Sequence, residues 1–296
     1  MVMTFPGRLF ASISICALFL SPLYSYGQDL RQSNDLKYFL FNNQSTPSKE
    51  LLALLERQVR WDDAGSGNLN PTESRFNASG LRLRFEKINE QAPPGGRVVA
   101  RYRVFAEGAP ENKVYSVGFW SIAHNMAYDP RDIYVNEQGL LMLHQPKPEQ
   151  ETSLNTGDDE YDIQPVTDNA EPMRYLFYTR YGPLMIPGTL VPHPVVSEDH
   201  GCRMEVRIAQ PHATAVLIII DRFPAKAKIP LVLESEEMIA NEILTTDAGG
   251  HAVIAVFPYL RGKTQGVFKA NAEGPKCLPN VILPWGAGPP ATPKTR

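Results

Sequence analysis

The sequence predicts an all-β protein that consists of two tandem antiparallel β-sandwiches behind a short N-terminal helix. Two observations predict this fold. Short segments rich in β-branched and aromatic residues, such as RVVARYRVF and HAVIAVF, alternate with turn segments such as EGAPEN and DAGG. One stretch also occurs twice: GPLMIPGTLVPH, which begins at Gly182, aligns without a gap on GPKCLPNVILPW, which begins at Gly274. A repeat of this kind indicates two copies of one module.

The repeat extends over most of the chain and defines the predicted domains. Pro110 matches Pro224, the segment GLRLRFE matches GCRMEVR, and NEQGLLML matches TDAGGHAV, so each copy contains the same succession of strands and turns. We therefore predict copy one over residues 80–196 and copy two over residues 197–286. Copy one is longer because it carries a polar insertion at residues 145–172, which we expect to run over the surface as a loop.

Residues 28–79 are predicted to form a helix and a linker in front of copy one. Thr46 suits the N-cap of this helix, and Pro47 suits its first helical position. Apolar residues recur on one face at helical spacing, at Leu51, Leu52, Leu55 and Val59. This face has two possible roles, which are packing against a β module and docking a partner. A stretch rich in Gly, Asn and Ser follows and is typical of a linker.

Residues 1–27 have the features of a secretory signal peptide. Arg8 precedes an apolar core, LFASISICALFL, and small residues at Ser25 and Gly27 suit cleavage before Gln28. The alternative is an uncleaved membrane anchor. We expect a secreted or periplasmic protein that has no membrane span after signal cleavage, because no second segment is long and apolar enough to cross a bilayer.

Charge and composition further limit which classes of partner the protein can bind. The formal net charge is −3, and basic and acidic residues are interspersed, without the Lys/Arg cluster that nucleic-acid binding requires. We therefore expect no nucleic-acid partner. The last residues, 287–296, are rich in proline and are predicted to be a disordered tail.

The cysteines predict one disulfide bond. Cys16 lies in the signal segment, which leaves Cys202 and Cys277, an even number in a chain predicted to be exported. In the repeat alignment their counterparts in copy one are Leu81 and Met185, both apolar, so we expect a buried, touching pair at that place as well. The alternative is two buried free thiols.

Two segments of copy two resemble a known family. DRFPAKAKIPLVLES and LTTDAGGHAVIAVFP are similar to the repeated motif of bacterial extracellular immunoglobulin-like (Ig-like) domains, in which a Gly-x-Pro turn joins two strands and a Thr-x-Asp-x-x-Gly hairpin follows. Gly108 keeps the turn glycine in copy one, whereas Arg222 stands at its place in copy two. The resemblance covers both copies. It implies Ig-like sandwiches in adhesion, spacing or ligand binding outside the cell, and it does not choose among these roles.

The sequence contains no established catalytic motif, so we predict no catalytic, cofactor-binding or metal site. The acidic run DDEYD is interpreted as a solvated loop in preference to a Ca²⁺ site. His193 aligns with Trp285 and is interpreted as a structural position. The densest polar group beside aromatic residues is the loop at residues 122–132. The candidate binding residues are His124, Tyr128 and Arg131 in this loop and Trp120 beside it.

These observations predict an exported, non-catalytic protein with Ig-like repeats that acts as a binding or scaffold module in the cell envelope or outside the cell. Its partner would be a protein or polysaccharide of the envelope. The alternative is a carbohydrate-binding or hydrolase-associated protein with its site on the loops of copy one. An apolar groove with convergent carboxylates would favour that alternative.

Overall fold

The computed structural model describes residues 36–41, 46–66, 81–91, 99–111, 113–122, 125–143, 159–180, 182 and 184–286. The predicted signal peptide (residues 1–27), His124 and the predicted tail (residues 287–296) lie outside the described residues.

The described chain is mostly β-strand. It begins with β1 (Lys37–Leu40) and α1 (Lys49–Ser66). The first sandwich contains β2 (Arg82–Gln91), β3 (Val99–Glu107), β4 (Tyr115–Trp120), β5 (Ala127–Val135), β6 (Leu141–Leu143), β7 (Asp159–Glu160), β8 (Asp162–Ile163), β9 (Met173–Thr179) and β10 (Met185–Leu190). The second contains β11 (Val195–Asp199), β12 (Cys202–Ile208), a 3-10 turn (Pro211–Ala213), β13 (Val216–Asp221), β14 (Lys228–Ser235), β15 (Met238–Thr245), β16 (Ala252–Phe257), β17 (Gln265–Ala272) and β18 (Asn280–Gly286).

The predicted all-β fold is confirmed, and the two sandwiches share part of their strand order. In the first, the sheet β2-β3-β8 packs on the sheet β10-β9-β4-β5-β6-β7. In the second, β1-β16-β13-β12-β11 packs on β15-β14-β17-β18. The run β10-β9-β4-β5 corresponds to β18-β17-β14-β15, and β2-β3 corresponds to β12-β13. The predicted domain boundary at residues 196/197 falls inside β11, which pairs with β12 in the second sandwich.

Strand β14 illustrates why these residues form sandwich strands. Its side chains alternate, with Ile229, Leu231 and Leu233 at most 1% exposed, while Lys228 and Pro230 face solvent. Successive side chains of a strand point to opposite faces, so this pattern buries one face in the core. Pro230 donates no bond, but it lies just beyond the end of the β14–β17 ladder, where its carbonyl still accepts from the Glu273 N–H.

One turn is built identically in both copies. Asp247 Oδ1 accepts hydrogen bonds from the backbone N–H groups two and four residues later, and Gly250 follows with a positive φ of 79°. Asn136 Oδ1 accepts the same two bonds, and Gly139 has a φ of 78°. A Cβ at Gly250 would collide with the carbonyl oxygen of Phe223, so only glycine fits. The repeat therefore extends to individual hydrogen bonds, with Asn136 in the role of Asp247.

The gapless alignment of the last strands, however, is out of phase with the structure. The core-facing residues of β10 are Ile186 and Leu190, whereas those of β18 include Val281 and Leu283. The alignment pairs buried Leu190 with Ile282, which is 55% exposed. A shift by an odd number of residues moves every side chain of a strand to the other face, so this pairing cannot be the structural one.

The predicted disulfide between Cys202 and Cys277 is confirmed, with Cα atoms 6.2 Å apart. The expectation of a matching buried pair in copy one is wrong. Leu81 is buried, but Met185 is 39% exposed, since the misaligned repeat paired it with Cys277.

Helix α1 packs on the second sandwich, which decides between its two predicted roles. Leu55 is fully buried and contacts the outer face of the β13–β16 pair, together with Leu51 and Val59. The helix begins two residues later than predicted. Ser48 caps it, because the Leu51 N–H donates to Ser48 Oγ at 3.2 Å, so the predicted cap at Thr46 is wrong.

The end of α1 ties the two sandwiches together through a buried carboxylate. Asp62 is 5% exposed and receives a bidentate pair from Arg174 on β9, at 3.2 and 3.3 Å. Thr189 on β10 donates to it at 2.8 Å, and Arg207 on β12 forms an ion pair with it at 3.2 Å. Trp61 adds a hydrogen bond to the carbonyl of Gly188 on β10. Asp62 therefore joins the helix, the first sandwich and the second.

Two parts of the chain differ from their predicted character. Strand β1, in the segment predicted as helix and linker, pairs in parallel with β16 and extends the second sandwich. The described part of the insertion, residues 159–172, is not a surface loop. Tyr161 is 3% exposed and donates to Asp129 at 3.1 Å, and β8 pairs with β3. Tyr161 and Ile163, both buried, anchor this segment in the core.

Removing the disulfide should destabilise the second sandwich. The bond closes a loop with a sequence separation of 75, so the double variant Cys202→Ser/Cys277→Ser should lose about 4 kcal/mol of unfolding free energy on the chain-entropy model. Guanidinium denaturation, with the oxidised wild type as reference, measures the loss. Alkylation of both cysteines in the native, unreduced protein would contradict the bond itself.

Replacing Asp62 should cost more than any exposed substitution on the same helix. Asp62→Ala leaves the buried guanidinium of Arg174 without its carboxylate, and we expect a loss of about 3–5 kcal/mol in urea denaturation. The matched control is Arg57→Ala, which removes an exposed side chain and should change stability by at most about 0.5 kcal/mol. Equal effects of the two substitutions would show that Asp62 does not join the sandwiches.

Candidate functional site

The prediction of a loop at residues 122–132 is wrong from Ala127 onward, because β5 begins there and pairs with β4. Most of the candidate residues are engaged by the protein itself. Trp120 packs edge-on against Trp61 of α1, with ring centroids 4.7 Å apart. Arg131 donates to both oxygens of Asp129, at 2.9 and 2.6 Å. These hydrogen bonds, against the opposing effect of partial burial, lower the pKa of the Asp129 carboxyl below its usual value. Tyr128 is 59% exposed, and His124 lies outside the described residues.

A row of alternating charges on the outer face of the second sandwich is also satisfied internally. Glu205 is 2% exposed and lies between Arg203 and Arg207, with which it forms ion pairs. Arg203 also forms an ion pair with Asp221, and Asp221 in turn contacts His251. These residues surround a cavity of only about 150 Å³. Burial raises the pKa of Glu205, but the two arginines outweigh burial and hold that pKa below its usual value.

A cleft of about 870 Å³ lies where the two sandwiches meet. One wall comes from the first sandwich and the connection after it, with Ile122, residues 167–171 and His193. The other wall comes from the second sandwich, with the turn Pro211–Ala213 and the adjoining ends of β17 and β18. Its volume lies within the range of about 300–1,000 Å³ that is typical of small-molecule sites. This cleft is the candidate functional site.

The first wall carries buried polar groups that lack partners. Thr167 is 5% exposed, and neither its hydroxyl nor the buried Nε2 of His193 has a hydrogen-bond partner among the described residues. Glu171 is 9% exposed and accepts one hydrogen bond, from the Asp168 N–H at 3.1 Å. Leaving a buried polar group unpaired costs about 1–3 kcal/mol, so the unpaired atoms of Thr167 and His193 lower the stability of the fold at this wall.

The backbone around the cleft adopts conformations that side chains disfavour. Ala170 has a φ of 63°, and His212 and Ala213 have φ values of 57° and 53°. Hydrogen bonds hold the segment at Ala170, because its N–H donates to the His193 carbonyl and its own carbonyl accepts from Ile208, each at 2.8 Å. Such strain persists only where neighbouring contacts enforce it, and it is frequent at ligand sites.

The second wall is packed to a fixed shape. Trp285 is 2% exposed, and its Nε1 donates to Ser235 Oγ at 3.0 Å. Gly266 admits this arrangement, since a Cβ there would lie 2.5 Å from the Trp285 ring and 2.6 Å from Glu236 Oε1. Glu236 is itself oriented by the Val267 N–H, at 2.6 Å. The shape of this wall is therefore already fixed in the protein without a ligand.

Two further properties of the described residues concern metals and membranes. No group of three or more His, Cys, Asp or Glu residues within the described ranges is placed to hold a metal ion. In the run DDEYD, Asp159 and Glu160 form β7 and Asp162 begins β8. Asp162 forms an ion pair with Arg101. No helix in the described part of the chain has the length and apolar character needed to cross a membrane.

Sequence reasoning missed the cleft for two reasons. The misaligned repeat equated His193 with Trp285, whereas in the structure the two residues belong to opposite walls of the cleft, and Trp285 is also part of the core of copy two. Thr167 and Glu171 were assigned to an insertion expected on the surface. The insertion itself was the available signal, because extra residues in one copy of a repeat are free of the demands of the common fold.

No protein-family model matches the sequence, and no curated protein matches it. Function is therefore argued from the chemistry of the cleft, and the resemblance to Ig-like domains stays a prediction.

The charge row should make stability depend on acidity. The folded pKa of Glu205 lies below its unfolded value of about 4.3, so Glu205 stabilises the fold above that pH and loses this effect as pH falls through the folded pKa. In urea denaturation from pH 7 to 3, Glu205→Gln should be less stable by about 3 kcal/mol at pH 7. The difference from wild type should shrink below about pH 4. Parallel stability curves would contradict this role.

Proposed function

We propose that the protein is an exported, non-catalytic binding module that holds its ligand in the cleft between two Ig-like sandwiches. The observation that carries the proposal is the cleft of about 870 Å³, which is lined by both sandwiches. Its volume is typical of small-molecule sites, and two residues of its lining, Thr167 and His193, keep buried polar atoms without a partner among the described residues.

The framework around the cleft supports a binding role. Asp62 joins α1 to both sandwiches, and the strained segment at Ala170 is fixed by two backbone hydrogen bonds. A site held in advance loses little conformational entropy on binding. The size of the cleft suits a small molecule or a short part of an envelope protein or polysaccharide.

The alternative, a carbohydrate-binding or hydrolase-associated protein with its site on the copy-one loops, has less support. Trp120 and Arg131, two of the candidate residues there, are occupied by Trp61 and Asp129. Export is supported by the leader-like first 27 residues and by the disulfide, since such bonds persist in oxidising compartments.

Expression with an intact N-terminus should yield a mature protein that begins at Gln28 in the periplasmic or culture fraction. The small residues before Gln28 suit signal peptidase, and the intact mass of the recovered protein reads the cleavage position directly. The control is a variant with Leu18→Arg, which interrupts the apolar core and should keep the protein in the cytoplasm. Full-length protein in the cytoplasmic fraction from the unaltered gene would contradict export.

Blocking the cleft should abolish ligand binding without unfolding the protein. Gln265 is exposed and lines the cleft, so Gln265→Trp fills its mouth while removing no core contact. The ligand in a soluble envelope fraction should raise the melting temperature of the wild type by a few degrees when its concentration is about a hundred times its Kd. Gln265→Trp should lose this shift.

The matched control for that experiment is Lys269→Trp. Lys269 is exposed on the same strand and does not line the cleft, and it loses only a surface ion pair with Glu234. The control should keep the full thermal shift. An equal shift in Gln265→Trp and wild type would place the ligand elsewhere, and no shift in any of the three proteins would count against a binding role.

A further inference from the structure

We propose that two molecules of this protein associate edge to edge through β15, so that the sheet β15-β14-β17-β18 continues across a two-fold axis. The partner at this edge is therefore a second molecule of the same chain. The proposal goes beyond the ligand site, because β15 contributes no residue to the lining of the cleft. It rests on the outward backbone groups of β15, its unprotected side chains and the charges near its two ends.

The backbone of β15 presents hydrogen-bonding groups away from its own sheet. β15 is an edge strand that pairs with β14, where Ile243 faces Pro230. Pro230 has no N–H, and its carbonyl accepts from the Glu273 N–H on the side of β17. This facing pair therefore exchanges no hydrogen bonds, and the N–H and C=O of Ile243 point outward. Because bonded and non-bonded pairs alternate along an antiparallel ladder, the same groups of Ile239 and Asn241 also point outward.

Among the described residues, one side chain reaches these outward groups. Lys37 Nζ on β1 donates to the carbonyl oxygen of Ile243 at 2.9 Å. A carbonyl oxygen has two lone pairs, so this oxygen can still accept an N–H from another strand. The outward groups of Ile239 and Asn241 have no partner within the described ranges. A row of such groups along an edge is a template for pairing with another chain.

The side chains of β15 do not protect this edge. Ile239 and Ile243 are 65% and 53% exposed, and Glu242 is the one charged residue among the eight of the strand. Edge strand β2 of the first sandwich, in contrast, carries five charged residues among its ten. Charged side chains are a common means of keeping an edge strand from pairing with another chain. β15 is therefore open to pairing in a way that β2 is not.

Hydrogen bonding leaves two antiparallel registers that overlap most of the strand, because only its odd-numbered residues present outward groups. In the first register, Asn241 faces Asn241 of the other molecule, and each Ile239 faces the other molecule's Ile243. Each facing pair exchanges two N–H···O bonds, and the isoleucines pack on each other twice. The second register, shifted by two residues, brings Glu237 towards Asp247 of the other molecule, where like charges repel.

Charge complementarity favours the first register and explains why a second molecule fits. This register places Glu237 opposite Thr245 of the other molecule, and Thr245 lies beside Lys228 on β14. Glu237 and Lys228 are both exposed. Two strand spacings of about 4.8 Å separate their positions, a distance that the two long side chains together can span. The two-fold axis forms this pair twice, whereas an unrelated strand would supply only the backbone bonds.

The exported form of the protein should therefore be in equilibrium between monomer and dimer. One pair of edge strands buries less than the roughly 800 Å² per partner of a standard interface, so we expect a dimer Kd on the order of 10 µM. Sedimentation velocity between about 1 and about 300 µM protein measures it. Monomer over the whole range would overturn the proposal and would indicate that another part of this chain or a different protein covers the edge.

A charge at position 241 tests the register, because this residue faces its own counterpart. Asn241→Asp and Asn241→Lys should each raise the dimer Kd about fivefold, since like charges directly opposite each other repel. An equimolar mixture of the two variants should associate at least as strongly as the wild type, because the mixed dimer pairs opposite charges. Recovery in the mixture also shows that both variants are folded.

The matched controls are Asn280→Asp and Asn280→Lys. Asn280 is exposed in the same cross-strand row of the sheet but belongs to β18 at the far edge. These variants should associate as the wild type does, both separately and mixed. If the Asn241 variants also associate like the wild type, or if their mixture associates no better than either variant alone, β15 does not face itself in this register and the proposal is wrong.

Discussion

A single buried carboxylate, that of Asp62, determines how the two sandwiches are held. It takes a bidentate pair from Arg174 and a hydrogen bond from Thr189, both in the first sandwich, and an ion pair from Arg207 in the second. A charge this deeply buried is tolerated only with all its partners in place, so the orientation that brings them together is strongly preferred. The cleft depends on that orientation because each sandwich supplies one of its walls.

Ion pairs shared between neighbouring residues continue from Asp62 along the outer face of the second sandwich. Arg207 is shared between Asp62 and Glu205, and Glu205 is shared in turn with Arg203. Burial lowers the pKa of the Arg207 guanidinium, but its two carboxylate neighbours outweigh burial and raise it. An apolar core of equal volume could be as stable as such a row, so its contribution is best understood as selecting one arrangement of helix and sheets.

The two copies have diverged where recognition would be expected. Their shared elements, such as the turns at Asn136 and Asp247, keep the same hydrogen bonds because the fold requires them. The insertion of copy one instead enters the structure, where Tyr161 anchors it in the core and residues 167–171 form one wall of the cleft. In this chain, therefore, the described part of the insertion contributes both to the core and to the lining of the cleft.

The sequence by itself determined that the fold is all-β, where many of its strands lie, and that Cys202 and Cys277 are bonded. Each of these follows from local alternation, turn residues or cysteine count. The tertiary structure alone decided the register of β10, the place of His193 and the partners of Asp62. The physical reason is that a shift of one residue leaves local composition unchanged but exchanges the two faces of a strand. Likewise, a buried charge gives no local signal, because what permits it is a partner more than a hundred residues away along the chain.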